Sequence, residues 1–351
     1  MIKILMCCST LTTKGGMVSV AKNYLDYKSW GDYEITFVPT HFDTNKYVVM
    51  LYFGIQWLKI MWLVRFGNYK IAHLHTAERG SFWRKAFLLR FFHRYGIKVV
   101  LHHHAAEFEN FYSQCSIRQQ KKIKRVLEAA DLNIVLSKRL IPMIKDKTSQ
   151  AKVKVLYNAV NTYPHNPYNI HGTYVLFLGR LGKRKGTYDL LECIKLLDSK
   201  IPRDIQFCIC GDGEIENVKN KIKEYGIEHR VAHVGWIDGE QKQTFFSNAI
   251  INVLPSYNEG LPMAILETMA YGIPNISTNI ASIPEVLHDN RNGYVITPGS
   301  IEALSTRIES LITDVNLRMN FSRESYALIT KYFSLENNMG ELKSYYKSLI
   351  E

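Results

Sequence analysis

Apolar positions recur along the first half of the chain in short runs that alternate with longer segments of helical periodicity. The short runs predict buried strands, and the longer segments predict amphipathic helices. Strands that alternate with helices form a parallel sheet with helices on both faces. We predict strands over residues 3–8, 33–39, 69–75, 97–103, 132–136 and 152–157, and helices from Gly15 and Gly16 to about residue 25 and over 81–95 and 117–130.

The pattern starts again after residues 158–173, which are rich in Asn, Pro, Tyr and His, lack periodicity and predict a linker between two domains. Two doubly wound units in tandem predict a ligand cleft where the carboxyl ends of both sets of strands face each other. In the second half we predict strands over 173–178, 205–210, 231–234, 250–254, 273–278 and 293–296, helices over 187–197, 216–225, 241–247 and 335–350, and further helices from residues 301 and 319.

Residues 48–66 form the longest nearly uncharged run of the chain. Because Gln56 and Lys59 interrupt this run, we do not expect a helix that spans a membrane. We expect a helix of the protein core. The alternative is a helix at a membrane interface, since its two tryptophans, with Lys59 and Arg65, are residue types that suit the headgroup boundary.

The composition, 46% hydrophobic and 22% charged over 351 residues, is that of a folded soluble protein with room for two domains. The formal net charge of +12 favours anionic partners, namely nucleic acid, phosphate-bearing substrates or an anionic membrane surface. None of the six cysteines forms a C-x-x-C pair, so no zinc site is indicated, and reduced cysteines fit a cytoplasmic setting. The first six residues predict a strand rather than a signal peptide.

Residues 255–278 carry the main candidate site. Glu259 lies in the loop after a predicted strand, and Glu267, eight positions later, lies on a short helix. The N-terminus of a helix presents unpaired N–H groups that suit a phosphate, and Gly260 would allow close approach of the backbone. Two acids beside an anion site indicate contacts with sugar hydroxyls, and so a nucleotide-sugar pocket. The alternative is that Glu259 is a solvated loop acid and Glu267 lies on an exposed helix face.

Residues 179–186, GRLGKRKG, follow a predicted strand directly. The glycines permit a tight loop. Arg180 and Lys185 supply positive charge at the carboxyl end of the strand, where a diphosphate leaving group requires charge compensation. The alternative interpretation is a basic, solvated turn.

The first half contains two weaker candidates for ligand contacts. Gly15 and Gly16 lie between the first strand and the first helix, where the backbone could approach a phosphate. The pattern G-x-G-x-x-G is absent, so a nicotinamide cofactor is not indicated. His104 ends a histidine triplet that cannot converge on a metal ion, because adjacent residues of a strand point to opposite faces. His73 and His75 share one strand face, and for them we expect core or cleft lining rather than a metal site.

Two predicted helices of the first half are strongly basic. They form either a solvated face over a core stripe or a surface that docks on anionic lipid, at about 1 kcal/mol per nearby cation. The cations are Arg84, Lys85, Arg90 and Arg94 in the first of these helices and Arg118, Lys121, Lys122, Lys124 and Arg125 in the second.

Taken together, these motifs resemble those of family 4 of the retaining glycosyltransferases over nearly the whole chain. The segment with Glu259 and Glu267 resembles the family's E-x7-E region, and GRLGKRKG resembles its G-R-L-x-x-x-K-G element. The sequence CGDGE, with Gly211 and Gly213, resembles the G-x-G loop beside the nucleotide base, although an ordinary turn would have the same sequence. The sequence VGWI resembles the next element, and the strand-end histidine of the family's H-G-x-E-F setting aligns with His104.

This resemblance implies an α/β protein of the GT-B fold, with two Rossmann-like doubly wound domains facing a central cleft. The implied domains are residues 1–158, with the last helix (about 335–351) packing back, and residues 159–334. It implies metal-independent transfer of a sugar from a nucleotide sugar, UDP-linked, to a hydroxyl with retention of configuration. The acceptor would be a saccharide, lipid-diphosphate-linked, used in O-antigen or capsule polysaccharide assembly by a cytoplasmic enzyme peripheral on the inner membrane face.

The resemblance also implies a role for each candidate residue. The implied contacts are Arg180 and Lys185 with the diphosphate, Glu259 with the sugar hydroxyls, Glu267 with the ribose, Trp236 with the uracil, Gly15, Gly16, Gly211, Gly213, Gly260 and Leu261 with the nucleotide sugar through loops, and His104 with the transferred sugar or acceptor.

Two other classes of protein stay open. One is a hydrolysing UDP-sugar epimerase of the same architecture. The other is a basic nucleic-acid-binding protein without activity, although no RNP-like element or zinc finger is present.

Overall fold

The computed structural model describes all 351 residues, which form two compact units. The first unit comprises Met1–Asn158 and Leu335–Glu351, and the second comprises Ala159–Ser334. Each unit contains one six-stranded sheet, and every strand pair in both sheets is parallel. The predicted α/β class with two doubly wound units is therefore confirmed.

The sheet of the first unit has the strand order β2-β1-β3-β4-β5-β6. The order reverses between β1 and β3, so this pair of strands is the switch point at which open α/β sheets bind ligands. The strands are β1 (Ile2–Cys8), β2 (Tyr33–Pro39), β3 (Tyr69–Thr76), β4 (Lys98–His103), β5 (Leu132–Val135) and β6 (Val153–Val155). The helices are α1 (Gly16–Asp26), α2 (Lys46–Phe66), α3 (Gly80–Arg94), α4 (Phe108–Ser113), α5 (Ile117–Ala129) and α6 (Pro142–Lys145).

The sheet of the second unit has the order β12-β11-β10-β7-β8-β9, with its switch point between β7 and β10. Its strands are β7 (Tyr174–Leu178), β8 (Gln206–Cys210), β9 (Val231–Gly235), β10 (Ala249–Leu254), β11 (Asn275–Thr278) and β12 (Gly293–Ile296). Its helices are α7 (Thr187–Leu197), α8 (Ile215–Tyr225), α9 (Gly239–Ser247), α10 (Met263–Ala270), α11 (Ile301–Thr313) and α12 (Val315–Tyr332), and the chain ends with α13 (Leu335–Ile350).

Helix α13 is part of the first unit's core, because its Tyr346 is fully buried and its hydroxyl lies 2.5 Å from Nδ1 of His73 on β3. Its Tyr345 hydroxyl donates to the carbonyl of Val155 on β6 at 2.7 Å. The last helix therefore contacts both the middle and the edge of the first sheet.

Helix α12 begins at Val315, earlier than the predicted start at Met319. The side chain of Asp314 accepts a hydrogen bond from the backbone N–H of Leu317 at 2.9 Å and so caps this helix. An aspartate at the N-cap satisfies N–H groups of the first turn and stabilises a helix start. The prediction missed this cap, and it also missed the short helices α4 and α6.

The prediction that residues 48–66 form a core helix is wrong. Helix α2 buries only Val49, Ile60 and Val64. By length and composition alone α2 is apolar enough to cross a membrane, but the core helix of a soluble protein can meet the same two criteria. Its apolar character extends around the whole helix, so it also leaves many large apolar side chains in contact with solvent: Tyr47, Val48, Met50, Leu51, Ile55, Leu58, Trp62 and Phe66.

Candidate active site

The candidate residues of the second unit follow the carboxyl ends of four neighbouring strands, in the sheet order β10-β7-β8-β9. Because parallel strands all end at the same edge of a sheet, these residues share one edge. Glu259, Gly260 and Leu261 follow β10, Arg180 and Lys185 follow β7, Gly211 and Gly213 follow β8, and Trp236 follows β9.

At the switch point of this sheet, Lys185 and Glu259 form a close ion pair. Nζ of Lys185 donates to Oε1 of Glu259 at 2.5 Å, and the hydroxyl of Ser256 donates to the same oxygen at 2.7 Å. Glu259 is only 6% exposed, so the interpretation of a solvated loop acid is wrong. A buried carboxylate with two donors has a fixed orientation. Ser256 escaped the sequence analysis because its role depends on the fold of its loop.

Backbone contacts also join the loops after β7 and β10. Gly186 adopts φ +70°, and a Cβ at this position would lie 2.2 Å from the carbonyl oxygen of Pro255. The N–H of Tyr257 donates to the carbonyl of Arg184 at 2.9 Å. Glycine is therefore required at position 186 both by the backbone conformation and by the close approach of the second loop.

The loop with Gly211 and Gly213 is packed against the loop that contains Arg180. A Cβ on Gly211 would lie 1.8 Å from the carbonyl oxygen of Gly179, and one on Gly213 would lie 2.4 Å from that of Leu181. The N–H of Leu181 donates to the carbonyl of Asp212 at 2.6 Å. These glycines therefore allow two loops to touch, a role that the sequence did not indicate.

Arg180 extends into solvent beside these loops. Its side chain is 67% exposed, and its Nη1 lies 3.7 Å from Oδ2 of Asp212. An exposed ion pair at this distance contributes little to stability. Arg180 thus presents positive charge at the edge of the sheet.

Glu267 and Trp236 are the two remaining candidate residues of the second unit. Glu267, on α10, accepts from Nζ of Lys242 on α9 at 2.7 Å, a partner that the sequence analysis missed because it lies in a different element. Trp236 is 49% exposed at the end of β9. No side chain caps the N-terminus of α10, so the first N–H groups of this helix have no side-chain partner.

In the first unit, Gly15 is the N-cap of α1 and Gly16 its first residue. Gly15 has φ +140°, and a Cβ there would meet no atom within 4 Å. Its conformation, rather than crowding by the protein, requires glycine at this position.

His104 belongs to a stack of four histidines at the carboxyl ends of β3 and β4. His75 Nδ1 and His104 Nε2 lie 2.9 Å apart, and His73 Nε2 and His102 Nδ1 lie 3.1 Å apart. His103 points to the other face, where its Nε2 lies 3.0 Å from Oδ1 of Asn133. The expected alternation along the strand and the core position of His73 and His75 are confirmed.

Burial keeps these rings neutral. It lowers the pKa of His73 to about 3, of His103 to about 4 and of His104 to about 3. It also places the pKa values of His75 and His102 well below the ordinary range, and neighbouring rings add to the effect. A neutral His104 can donate or accept a hydrogen bond but carries no charge.

His73, His75 and His102 each place one possible ligand nitrogen within 4.8 Å of the others. A tetrahedral zinc ion with bonds of about 2.0–2.1 Å holds its nitrogen ligands about 3.3 Å apart. Both ring nitrogens of His73 already have hydrogen-bond partners, Tyr346 and His102. The histidines would therefore have to give up these contacts in order to bind a metal.

Residues 166–328 match the family described as Glycosyl transferases group 1. A protein of Klebsiella pneumoniae, named as an uncharacterized 41.2 kDa protein in the cps region, is 27% identical over 252 residues, which cover 68% of this chain and 68% of that protein. The lipopolysaccharide core biosynthesis glycosyltransferase LpsE of Rhizobium meliloti is 28% identical over 163 residues, or 46% of each chain. The chain thus matches about half the length of LpsE.

The structure of Anabaena Alr3699/HepE in complex with UDP and glucose is similar to this chain, with a TM-score of 0.75 and 16% identity. The similarity covers 99% of this chain and 100% of that one. At this identity it shows the fold, which is GT-B. The chain is therefore a transferase that carries a group 1 glycosyltransferase domain in its second unit.

Proposed function

We propose that this protein transfers a sugar from a UDP-sugar to a hydroxyl of a saccharide acceptor and retains the anomeric configuration. The observation that carries the proposal is the Lys185–Glu259 pair at the switch point of the second sheet. A cation and a buried, oriented acid lie together there, and these are the groups that a diphosphate and a sugar require.

The order of the strand ends supports a layout for the donor. Glu259 after β10 would bind the sugar hydroxyls, and Arg180 and Lys185 after β7 would bind the diphosphate. Gly211 and Gly213 after β8 and Trp236 after β9 would lie beside the base. We assign the ribose to Glu267, in keeping with the resemblance to the E-x7-E region.

The residues of the site would compensate the charge of the leaving group without a metal ion. As the bond between the sugar C1 and the phosphate oxygen breaks, Arg180, Lys185 and the N-terminal N–H groups of α10 would stabilise the developing negative charge. The acceptor oxygen would bond to C1 on the same face, and its proton would pass to the leaving phosphate oxygen. Gly15 and Gly16 would close over the phosphates, and His104 would contact the transferred sugar or acceptor.

We further propose a lipid-linked acceptor and a role in polysaccharide or lipopolysaccharide biosynthesis. The naming of LpsE as a lipopolysaccharide core biosynthesis enzyme supports the pathway. Helix α2 supports the proposal of a lipid-linked acceptor, because it exposes large apolar side chains, contains three cations and has no acid. Its charge complements an anionic bilayer, so we assign the inner face of the cytoplasmic membrane as its partner.

The test is a panel of UDP- and GDP-sugars, with thermal shift and UDP release as the readouts. We expect one UDP-sugar to raise the melting temperature of the wild type, because a ligand that binds only the folded state stabilises it. Glu259→Gln and Arg180→Gln should lose this response. Arg203→Gln, which removes an exposed cation elsewhere in the same unit, should keep it.

The same panel, together with a DNA-binding assay, separates the proposal from its rivals. No response of the wild type to any UDP-sugar would overturn the donor assignment. Rapid UDP release without an acceptor would favour a hydrolysing epimerase. Salt-sensitive binding of random DNA that UDP does not affect would favour a nucleic-acid-binding protein.

A further inference from the structure

Three basic side chains of the first unit, His41, Arg84 and Lys85, lie near the carboxyl ends of β1 and β2. His41 follows the end of β2, and its carbonyl accepts from the N–H of Thr10 after β1 at 2.7 Å. Arg84 and Lys85 come from the first half of α3. Nζ of Lys85 donates to the hydroxyl of Thr40, the residue before His41, so α3 places its cations beside the end of β2. Burial lowers the pKa of His41, and the positive charges of Arg84 and Lys85 add to this effect.

Lys85 is the buried member of this group. It is only 2% exposed, and its Nζ donates to the hydroxyl of Thr40 at 2.6 Å without forming an ion pair. Burial lowers its pKa to about 8, which still leaves it charged at neutral pH. A buried cation is costly unless an anion is near, and a single hydroxyl does not compensate its charge.

Arg84 and His41 also have unsatisfied hydrogen-bonding capacity. Nε of Arg84 and Nδ1 of His41 are both buried and have no hydrogen-bond partner. Of the three groups, only His41 contacts a carboxylate, that of Asp43 at 3.5 Å, and the Asp43 side chain is 71% exposed. An arginine, a lysine and an imidazole with spare donors are the groups that bind phosphate oxygens.

The position of this group beside α2 indicates what carries the phosphate. Phe42, next to His41, packs against Tyr52 of α2 with ring centroids 4.8 Å apart. Phe87, one helical turn after Arg84, packs against Trp57 of α2 at 4.7 Å. The basic group therefore lies next to the helix that exposes apolar side chains.

We propose that His41, Arg84 and Lys85 form a binding site for a phosphate group that is attached to an apolar chain. The phosphate contacts the partly exposed side chains of Arg84 and His41, the charge of the buried Lys85 stabilises it from within the protein, and the apolar chain extends along α2. This site deepens the proposed function, on which it rests for the lipid-linked acceptor, by assigning the residues that hold the acceptor's phosphate.

The experiment measures binding of dodecyl phosphate, below its micelle concentration, and of inorganic phosphate by calorimetry on the full chain. Saturating UDP is present throughout, so that the nucleotide occupies the donor site. We expect dodecyl phosphate to bind more tightly than inorganic phosphate. Arg84→Gln should weaken both by about tenfold or more, because a charge-assisted contact is lost.

Arg94→Gln is the matched control, because it removes the same charge from the exposed last turn of the same helix. Equal weakening by Arg84→Gln and Arg94→Gln would overturn the site in favour of general surface charge. Equal affinity for dodecyl phosphate and inorganic phosphate would overturn the proposed contact of the apolar chain with α2. His41→Gln, a second variant of a partly exposed residue, should weaken binding too, and unchanged binding in both His41→Gln and Arg84→Gln would also overturn the proposal.

The phosphate-binding experiment and the UDP-sugar panel can fail separately. Failure of every UDP-sugar to stabilise the wild type, together with phosphate binding that depends on Arg84, would overturn the donor assignment and leave this site in place. A UDP-sugar response without binding of either phosphate compound would keep the donor assignment and overturn this site.

Discussion

Nζ of Lys185 lies 2.5 Å from Oε1 of Glu259, and this contact joins the loops that follow the neighbouring strands β7 and β10. The two residues lie on either side of the point where the strand order of the second sheet reverses. The cation that would bind a diphosphate and the acid that would bind a sugar are therefore held together by the fold before a ligand contributes.

Replacing Glu259 with glutamine should lower the rate of UDP release in the presence of donor and acceptor by about 100-fold or more. The amide keeps the size of the side chain but loses the charge that orients Lys185. Ser256→Ala, which removes only the hydroxyl donor to Glu259, should have a smaller effect of about tenfold. Equal rates in Glu259→Gln and wild type would refute the role of the pair.

Replacing Gly186 with alanine should destabilise the second unit by about 3 kcal/mol or more, because strain in the backbone adds to the clash with Pro255. Gly226→Ala is the matched control, since Gly226 has nearly the same φ of +68° but no atom within 4 Å of an added Cβ. This control should lose only about 1–2 kcal/mol. Urea unfolding of both variants measures the difference, and similar losses would contradict the steric argument.

The buried histidines should make the first unit sensitive to acid. Their pKa values in the folded state lie below the ordinary value of 6.5, so the unfolded chain binds protons first as the pH falls. The histidines therefore do not lower the free energy of unfolding above about pH 6.5. Below that pH the free energy of unfolding falls progressively toward pH 3–4, by up to about 1.4 kcal/mol per pH unit for each histidine.

Tryptophan fluorescence can follow this unfolding, because four of the five tryptophans lie in the first unit. His103→Gln should show a shallower loss of stability with falling pH than the wild type. A free energy of unfolding that stays constant from pH 7 to pH 5 would contradict the assignment of neutral, buried rings.

Charge on the exposed side of α2 should weaken membrane binding. Trp62→Glu and Leu58→Glu should each reduce flotation with anionic vesicles by about tenfold or more, because they remove apolar area and add repulsion. Leu196→Glu places the same charge at an exposed leucine of the second unit and should leave flotation unchanged. Equal flotation of the wild type with neutral and anionic vesicles would refute an electrostatic contribution.

Chelation should leave sugar transfer intact. The proposed leaving-group contacts are side-chain cations and backbone N–H groups, so dialysis against EDTA should change the rate of UDP release less than twofold. A larger loss that Zn²⁺ or Mg²⁺ restores would show that an ion takes part, and substitution of His75 would then test whether the histidine stack holds it.

The sequence predicted the elements of this fold where apolar periodicity and glycine signals agreed, as at α7 and β12. It placed Glu259 and Lys185 at strand ends, but it could not show that they touch, because that requires the strand order. The histidine stack likewise depends on the register that places His75 opposite His102. The exposure of α2 was missed because a uniformly apolar helix has the same pattern in a core and at an interface.

Because Gly211 packs directly against the carbonyl of Gly179, the two loops that contain these residues cannot move independently. Any side chain at position 211 would push the loop that carries Arg180 out of place, so a substitution there requires a matching change in that loop. Grafting aimed at the proposed nucleotide contacts should therefore exchange residues 179–186 and 210–214 together. Exchange of the shorter loop alone should give a protein that folds poorly rather than one with a new donor.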